Sequence, residues 1–274
     1  METKELGRTG TMVPEIGLGV WRYRGGVEPL RHGIELGACL IDTAEVYGTE
    51  DVVGEAVRGL RDRVFIATKV SGQHLRHDDV LRAAEASLKR LRIDRIDLYQ
   101  IHWPNSAVPI KETMRAMETL VDRALVRFIG VSNFSLDELR AAEAAMRHYP
   151  IVANQVLYNL HRRAIERDLL PYCAANGITI IAYTPLDSGR LARRTQYPSN
   201  PAGMKALQQI ADETGKTLGQ VALNWCTAHS NVIAIPKSDK VERTLENCGA
   251  SGWRLTPAQR DLLDRAFTRN DSDD

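Results

Sequence analysis

What the sequence lacks narrows its class before any motif is read. No stretch approaches the 18 or so uninterrupted apolar residues that a membrane helix needs. The opening Met1-Glu2-Thr3-Lys4-Glu5 carries no apolar core of a secretion signal. The expectation is a soluble, cytoplasmic protein with no membrane partner. Charge of one sign is also missing: 36 Lys and Arg stand against 35 Asp and Glu, a formal charge of +1. Without a basic field, nucleic acid is not an expected partner. Cysteine is sparse, with Cys39, Cys173, Cys226 and Cys248 each isolated and no C-x-x-C pair. A chain of this size needs no disulfide staples, so these read as reduced, packed thiols, and no metal site is expected. A complete dinucleotide fingerprint is absent as well: Gly17-Leu18-Gly19 is followed by Val20-Trp21-Arg22, without the third glycine. Any dinucleotide must be bound by other means than a Rossmann turn.

What is present is length and alternation. The 274 residues, 43% hydrophobic and 26% charged, match the roughly 250 residues of one (β/α)8 barrel. A single domain spanning 1–274, and a monomer by default, are the expectations. Short apolar runs recur at Ile16–Val20, Leu40–Asp42, Val64–Lys69, Ile96–Ile101, Phe128–Ser132, Val152–Gln155, Ile178–Tyr183 and Val232–Pro236. Eight strands with no antiparallel hairpin between them predict an α/β TIM barrel. The intervening segments have helical periodicity, as in Asp79–Leu91 and Ile110–Ala124. Capping boxes stand at Ser135–Glu138, Thr217–Gln220 and Thr256–Gln259. Ahead of the first strand, Lys4–Val13 alternates around a Gly-rich turn, which predicts a short β-hairpin at the barrel bottom. Ser188–Gly203 lacks helical periodicity and reads as a surface loop, and the tail Asn270–Asp274 as frayed.

In a parallel barrel the C-terminal strand ends converge on one mouth. Those ends are polar: Asp42, Lys69, His102, Ser132 with Asn133, Gln155, Tyr183, and Lys237 with Ser238. Taken singly, each has an ordinary explanation. Asp42 can cap a turn, Lys69 can snorkel, His102 can be a satisfied core histidine, and Ser132 can cap a helix. Together, a carboxylate, a tyrosine one turn later at Tyr47, an ammonium and an imidazole are the parts needed to protonate a carbonyl oxygen. A phenol with a pKa of about 10 is a weak acid at neutral pH, and a nearby cation lowers that value. Lys69 is the expected cation, kept charged by Asp42, while His102 orients the carbonyl and helps Tyr47 stabilise the oxyanion. Tyr183 alone reads as a strand-end aromatic in the core.

Gly17-Leu18-Gly19-Val20-Trp21, Ile41-Asp42-Thr43-Ala44, Tyr47-Gly48, Thr68-Lys69, Ile101-His102-Trp103 and Gly130–Phe134 follow one another in a distinctive order. With Asn154-Gln155, Ala182–Leu186 and Ile235–Ser238 followed by Arg243 and Glu246-Asn247, they make nearly the whole chain resemble the aldo-keto reductases. The resemblance implies Asp42, Tyr47, Lys69 and His102 at the catalytic positions of an NADPH-dependent carbonyl reductase. It implies that Ser132, Asn133 and Gln155 hold a nicotinamide carboxamide and that Tyr183 stacks on the ring. Thr184 and Leu186 would lie along the cofactor, and Glu246 and Asn247 against adenine. Lys237, Ser238 and Arg243 would surround the 2′-phosphate, two cations favouring NADPH/NADP+ over NADH. Read without the resemblance, that cluster is equally a solvated helix end. Three positions depart from the family pattern: Thr49 where asparagine is usual, Thr184 for serine, and Leu157 where glutamate is frequent.

Trp21 and Trp103, with Tyr47, are expected to line an aromatic pocket, and short flanking loops point to an open one that takes a range of small carbonyl substrates. Two other readings remain at this stage. A Schiff-base aldolase would use Lys69 as nucleophile. An NADPH-binding redox-sensing or regulatory module would bind cofactor and turn over slowly.

Overall fold

The computed structural model describes residues 1–193 and 200–267. The chain begins with a hairpin: β1 (Thr3–Glu5) and β2 (Met12–Pro14) pair antiparallel, with Lys4 opposite Val13. Among the described residues a second sheet then runs through eight parallel strands. They are β3 (Leu18–Gly19), β4 (Leu40–Asp42), β5 (Phe65–Val70), β6 (Ile96–Ile101), β7 (Val126–Ser132), β8 (Ile151–Leu157), β9 (Thr179–Tyr183) and β10 (Val232–Ala234). Each pairs with its neighbours in sequence. The two edges meet: the Gly17 N–H donates to the Ala234 carbonyl and the Ala234 N–H to the Glu15 carbonyl, both at 2.8 Å. This parallel bridge between Ile16 and Ala234 closes the barrel.

Helices α1 (Glu28–Glu35), α2 (Glu50–Ala56), α3 (His77–Leu91), α4 (Ile110–Asp122), α5 (Leu136–Ala145) and α6 (Leu169–Asn176) fill successive crossovers. Helices α7 (Pro201–Thr214) and α8 (Leu218–Cys226) share the next, and α9 (Val241–Cys248) and α10 (Pro257–Ala266) follow β10. Their inward stripes follow the helical period. On α3, Val80, Ala84, Leu88 and Leu91 are buried, and on α4, Met114, Met117 and Leu120. All three capping boxes form, at Ser135, Thr217 and Thr256. Part of the expected loop at Ser188–Gly203 is a pair of short turns over Asp187–Ala192, broken where Ser188 and Gly189 adopt left-handed backbone, and helix α7 begins at Pro201 under an Asn200 cap. Residues 194–199 of that loop, and the tail 270–274, lie outside the described residues.

The alternation of strand side chains builds two cores. One face of each strand packs against the helices, for example Ile41, Ile66, Tyr99 and Ile180. The other fills the barrel with Leu40, Phe65, Ala67, Leu98, Ile181 and Ile233, stoppered from below by Leu6 and Val13 of the hairpin. The hairpin is fastened by Lys4, whose Nζ donates to the carbonyls of Thr227 (2.5 Å), His229 (2.7 Å) and Val232 (2.7 Å). One step further up the same inward face, the apolar filling gives way to Asp42, Lys69, Gln100 and Gln155, all buried. A period of two thus carries each strand from apolar floor to polar mouth. Among the described residues no helix is long and apolar enough to cross a membrane.

Candidate active site

Asp42 ends β4 and Lys69 lies near the end of β5, one inward position above Ala67, so both side chains enter the barrel where water is excluded. Lys69 Nζ donates to Asp42 Oδ1 at 2.6 Å and to the Thr43 carbonyl at 2.8 Å. The second carboxylate oxygen accepts from Gln155 Nε2 at 2.7 Å and Gln100 Nε2 at 3.3 Å. A fully buried ammonium is thereby matched by a carboxylate whose remaining lone pairs are also occupied, the arrangement a buried ion pair needs. Burial pulls the Lys69 pKa down, and Asp42 acts against that pull.

Tyr47 reaches the same point from the 3-10 turn Glu45–Tyr47 that follows β4, which ends on Gly48 in the left-handed conformation. Its hydroxyl is 3.3 Å from His102 Nε2, the rings meeting edge to face with centroids 5.4 Å apart. Lys69 Nζ lies 5.0 Å from the Tyr47 ring centroid. Here the structure corrects an expectation. The Tyr47 pKa is raised, not lowered. Burial pushes it well up, with Asp42 and Tyr183 adding to the rise. The ammonium hydrogen-bonds to Asp42 and Thr43, so the phenol sees a neutralised pair and little water. His102 moves the other way, its pKa lowered to about 4 by burial and then by Lys69, which leaves the ring neutral at neutral pH. The floor of the mouth therefore presents a protonated phenol and an uncharged imidazole side by side.

Asn133 organises the far side of the floor. It follows β7 with φ at +62°, a left-handed position that asparagine tolerates. Its Nδ2 donates to the His102 carbonyl at 3.0 Å and to Ser132 Oγ at 3.1 Å, while its Oδ1 accepts the Tyr183 hydroxyl at 2.9 Å. Both amide protons are committed, so Asn133 retains acceptor capacity alone. Ser132 Oγ donates to the Gln155 carbonyl at 3.0 Å. From here a groove of about 870 Å³ runs past Thr184, Leu186, Ile235 and Lys237 to Arg243 and Asn247. At its far end Lys237 is paired with Asp239 and Arg243 with Glu246, and Ser238 Oγ donates to the Lys240 carbonyl at 2.9 Å.

A model of the aldo/keto reductase family matches residues 15–267. The chain belongs to that family. It is 37% identical over 280 residues to methylglyoxal reductase YeaE of Escherichia coli K12, an alignment covering 97% of this chain and 96% of that one. Among solved structures, the thermostable aldo-keto reductase Tm1743 bound to the inhibitor epalrestat superposes with a TM-score of 0.90 at 42% identity. That alignment covers 97% of this chain and all of the other. An aldo-keto reductase from Klebsiella pneumoniae in complex with NADPH superposes with a TM-score of 0.87 at 36% identity, covering 97% and 95% of the two chains.

Of the residues expected at the site, Trp21, Asp42, Tyr47, His102, Trp103, Ser132, Asn133, Gln155, Tyr183, Thr184, Leu186, Lys237, Ser238, Arg243, Glu246 and Asn247 all line the one groove. Lys69 lies beneath its floor, bonded to Asp42 and 5.0 Å from the Tyr47 ring. Trp21 and Trp103 stand half-exposed at the mouth, together with Val46. Several residues of the site, Gln100, Val46 and Asp239 among them, were not singled out in the sequence. Gln100 was legible in principle: two residues past Leu98 it shares the inward face, in register with Lys69. Val46 sits beside Tyr47 on the same turn. Asp239 gave no signal beyond its nearness to Lys237. The unusual Thr49 has a partner, its Oγ1 lying 2.9 Å from Thr43 Oγ1 in a buried contact that ties the Tyr47 turn to β4.

Proposed function

We propose that this chain reduces aldehydes and ketones to alcohols with NADPH, Tyr47 delivering the proton. The observation that carries this reading is the Tyr47 hydroxyl beside His102, with its ring 5.0 Å from the Lys69 ammonium of the Asp42–Lys69 pair, at the floor of a groove suited to a dinucleotide. The fit rests on acceptors at one end of the groove and donors at the other. An aromatic face at Tyr183 and the amides of Asn133 and Gln155 stand at one end, and cations with a hydroxyl at Lys237, Ser238 and Arg243 at the other. NADPH, when bound, supplies the hydride. The NADPH complex of the Klebsiella pneumoniae relative supports that choice.

The protein's own residues handle the oxygen. As hydride reaches the carbonyl carbon, the π electron pair moves to oxygen, and the Tyr47 hydroxyl donates its proton there. A raised phenol pKa is no obstacle, because the alkoxide being formed is far more basic than a phenolate, so the transfer runs downhill. It also keeps Tyr47 protonated at neutral pH, ready as a donor. The phenolate left behind faces the Lys69 ammonium 5.0 Å from its ring until solvent at the open mouth returns a proton. Neutral His102 hydrogen-bonds the same oxygen in the tautomer with its proton on Nε2, and the two donors together stabilise the developing charge. Asp42 holds Lys69 charged, while Gln100 and Gln155 hold Asp42. Asn133 sets the Tyr183 ring in place as a platform.

Small apolar and dicarbonyl aldehydes fit the half-exposed Trp21, Val46 and Trp103, and methylglyoxal is the first candidate, by analogy with the YeaE relative. The test is consumption of NADPH and NADH by purified protein against methylglyoxal, glyoxal, aromatic aldehydes and simple ketones. The expected result is faster consumption with NADPH and turnover of several substrates. Tight NADPH binding with no substrate reduced would replace this reading with a cofactor-sensing one.

A further inference from the structure

The far end of the groove is not purely cationic. Lys237, Lys240 and Arg243 share it with Asp239 and Glu246. Asp239 uses its two carboxylate oxygens for different tasks. Its Oδ1 accepts the Arg24 N–H at 2.8 Å, tying the loop after β3 to the segment after β10. Its Oδ2 pairs with Lys237 Nζ. The two loops meet closely: a Cβ on Gly25 would stand 2.8 Å from the Asp239 carbonyl oxygen, so only glycine fits there. With its backbone in that contact and one oxygen bound to Arg24, the carboxylate is held beside Lys237. A 2′-phosphate approaching Lys237 would meet a fixed negative charge on the same ammonium. A bare 2′-hydroxyl would meet no such repulsion and could donate to the carboxylate.

We infer that Asp239 sets how strongly this chain discriminates between dinucleotides with a 2′-phosphate and those with a 2′-hydroxyl, holding the preference for NADPH below what Lys237 and Arg243 alone would give. The inference rests on the NADPH reading above, and two substitutions separate its parts. Asp239→Asn removes the charge and keeps an oxygen for Arg24, whereas Asp239→Ala removes both. Equilibrium binding of NADP+, NAD+ and adenosine 2′,5′-bisphosphate to the full chain, followed by quenching of tryptophan fluorescence, reads the result without turnover. In Asp239→Asn, NADP+ and adenosine 2′,5′-bisphosphate are expected to bind about five- to tenfold more tightly, the effect of one carboxylate about 4 Å from a phosphate in water. NAD+ should be unchanged or weaker, and the gain should shrink as salt is raised. Equal tightening of NADP+ and NAD+, or no change in either, overturns the inference. So does equal weakening of both, which would make Asp239 a loop tether alone. If the wild type binds NAD+ but neither NADP+ nor adenosine 2′,5′-bisphosphate, the NADPH reading itself falls.

Discussion

Replacing Asp42 with asparagine removes one negative charge and almost no volume, from a place where Lys69 has no route to water. The ammonium is fully buried, and the carboxylate beside it is 3% exposed. In Asp42→Asn an amide faces Lys69 on one side and the two glutamine amides on the other. Whichever way it turns, an N–H meets another donor. Breaking a buried ion pair by removing one partner costs about 3–5 kcal/mol. For a chain of this length each kcal/mol moves the melting temperature by about 2 °C, so a fall of about 6–10 °C is expected. The loss should also depend on pH. Burial already lowers the Lys69 pKa from its ordinary 10.5, and without Asp42 it falls further. Above the native value the unfolded chain binds the extra proton, so stability of the variant rises with pH toward the ordinary lysine value and its deficit should be smaller at about pH 9 than at about pH 7. Urea unfolding at both pH values measures this, with unchanged m-values confirming a comparable transition. The double variant Asp42→Asn/Lys69→Met, which buries no charge at this point, should be less destabilised than Asp42→Asn alone. A loss under about 1 kcal/mol with no pH dependence would refute the claim that Asp42 keeps this ammonium charged.

Two further outcomes follow from groups with shifted or saturated environments. His102, whose pKa is lowered from 6.5 to about 4, contributes stability that is present above about pH 6.5 and lost as pH falls through about 4. Allowing for its partial exposure this amounts to about 1–2 kcal/mol, and His102→Gln should flatten that part of the urea-midpoint profile. Lys4→Met leaves three carbonyls at the barrel bottom without their donor. It should lower stability by about 2–4 kcal/mol while leaving dinucleotide affinity unchanged, by calorimetry and fluorescence titration respectively.

The barrel was legible because its strands alternate apolar runs with amphipathic helices, and because polar residues follow each run where a parallel barrel puts its mouth. Strand ends were less so. The run Ile16–Val20 forms a ladder only at Leu18–Gly19, since Glu15, Ile16 and Gly17 use their backbone to close the barrel against Ala234. Residues whose side chains can hold or move a proton, such as Tyr47 and Lys69, stood out. Gln100 did not, because it lies within an apolar run and matters only through its register with Lys69. The direction of the Tyr47 shift was misread because it depends on how deeply the phenol is buried and on where Lys69 points, and neither is carried by sequence spacing. Asp239 was missed for a related reason: its meaning comes from contact with Arg24, a residue more than two hundred positions away.

The most direct test of the central claim is reduction of methylglyoxal by Tyr47→Phe, followed by loss of NADPH absorbance, with NADPH binding measured in parallel. The account predicts a fall in turnover of about a hundredfold or more, as expected for a lost proton donor, with cofactor affinity kept. Turnover within a few-fold of wild type would contradict it and point instead to His102, whose Nε2 lies 3.3 Å from the Tyr47 hydroxyl, as the donor.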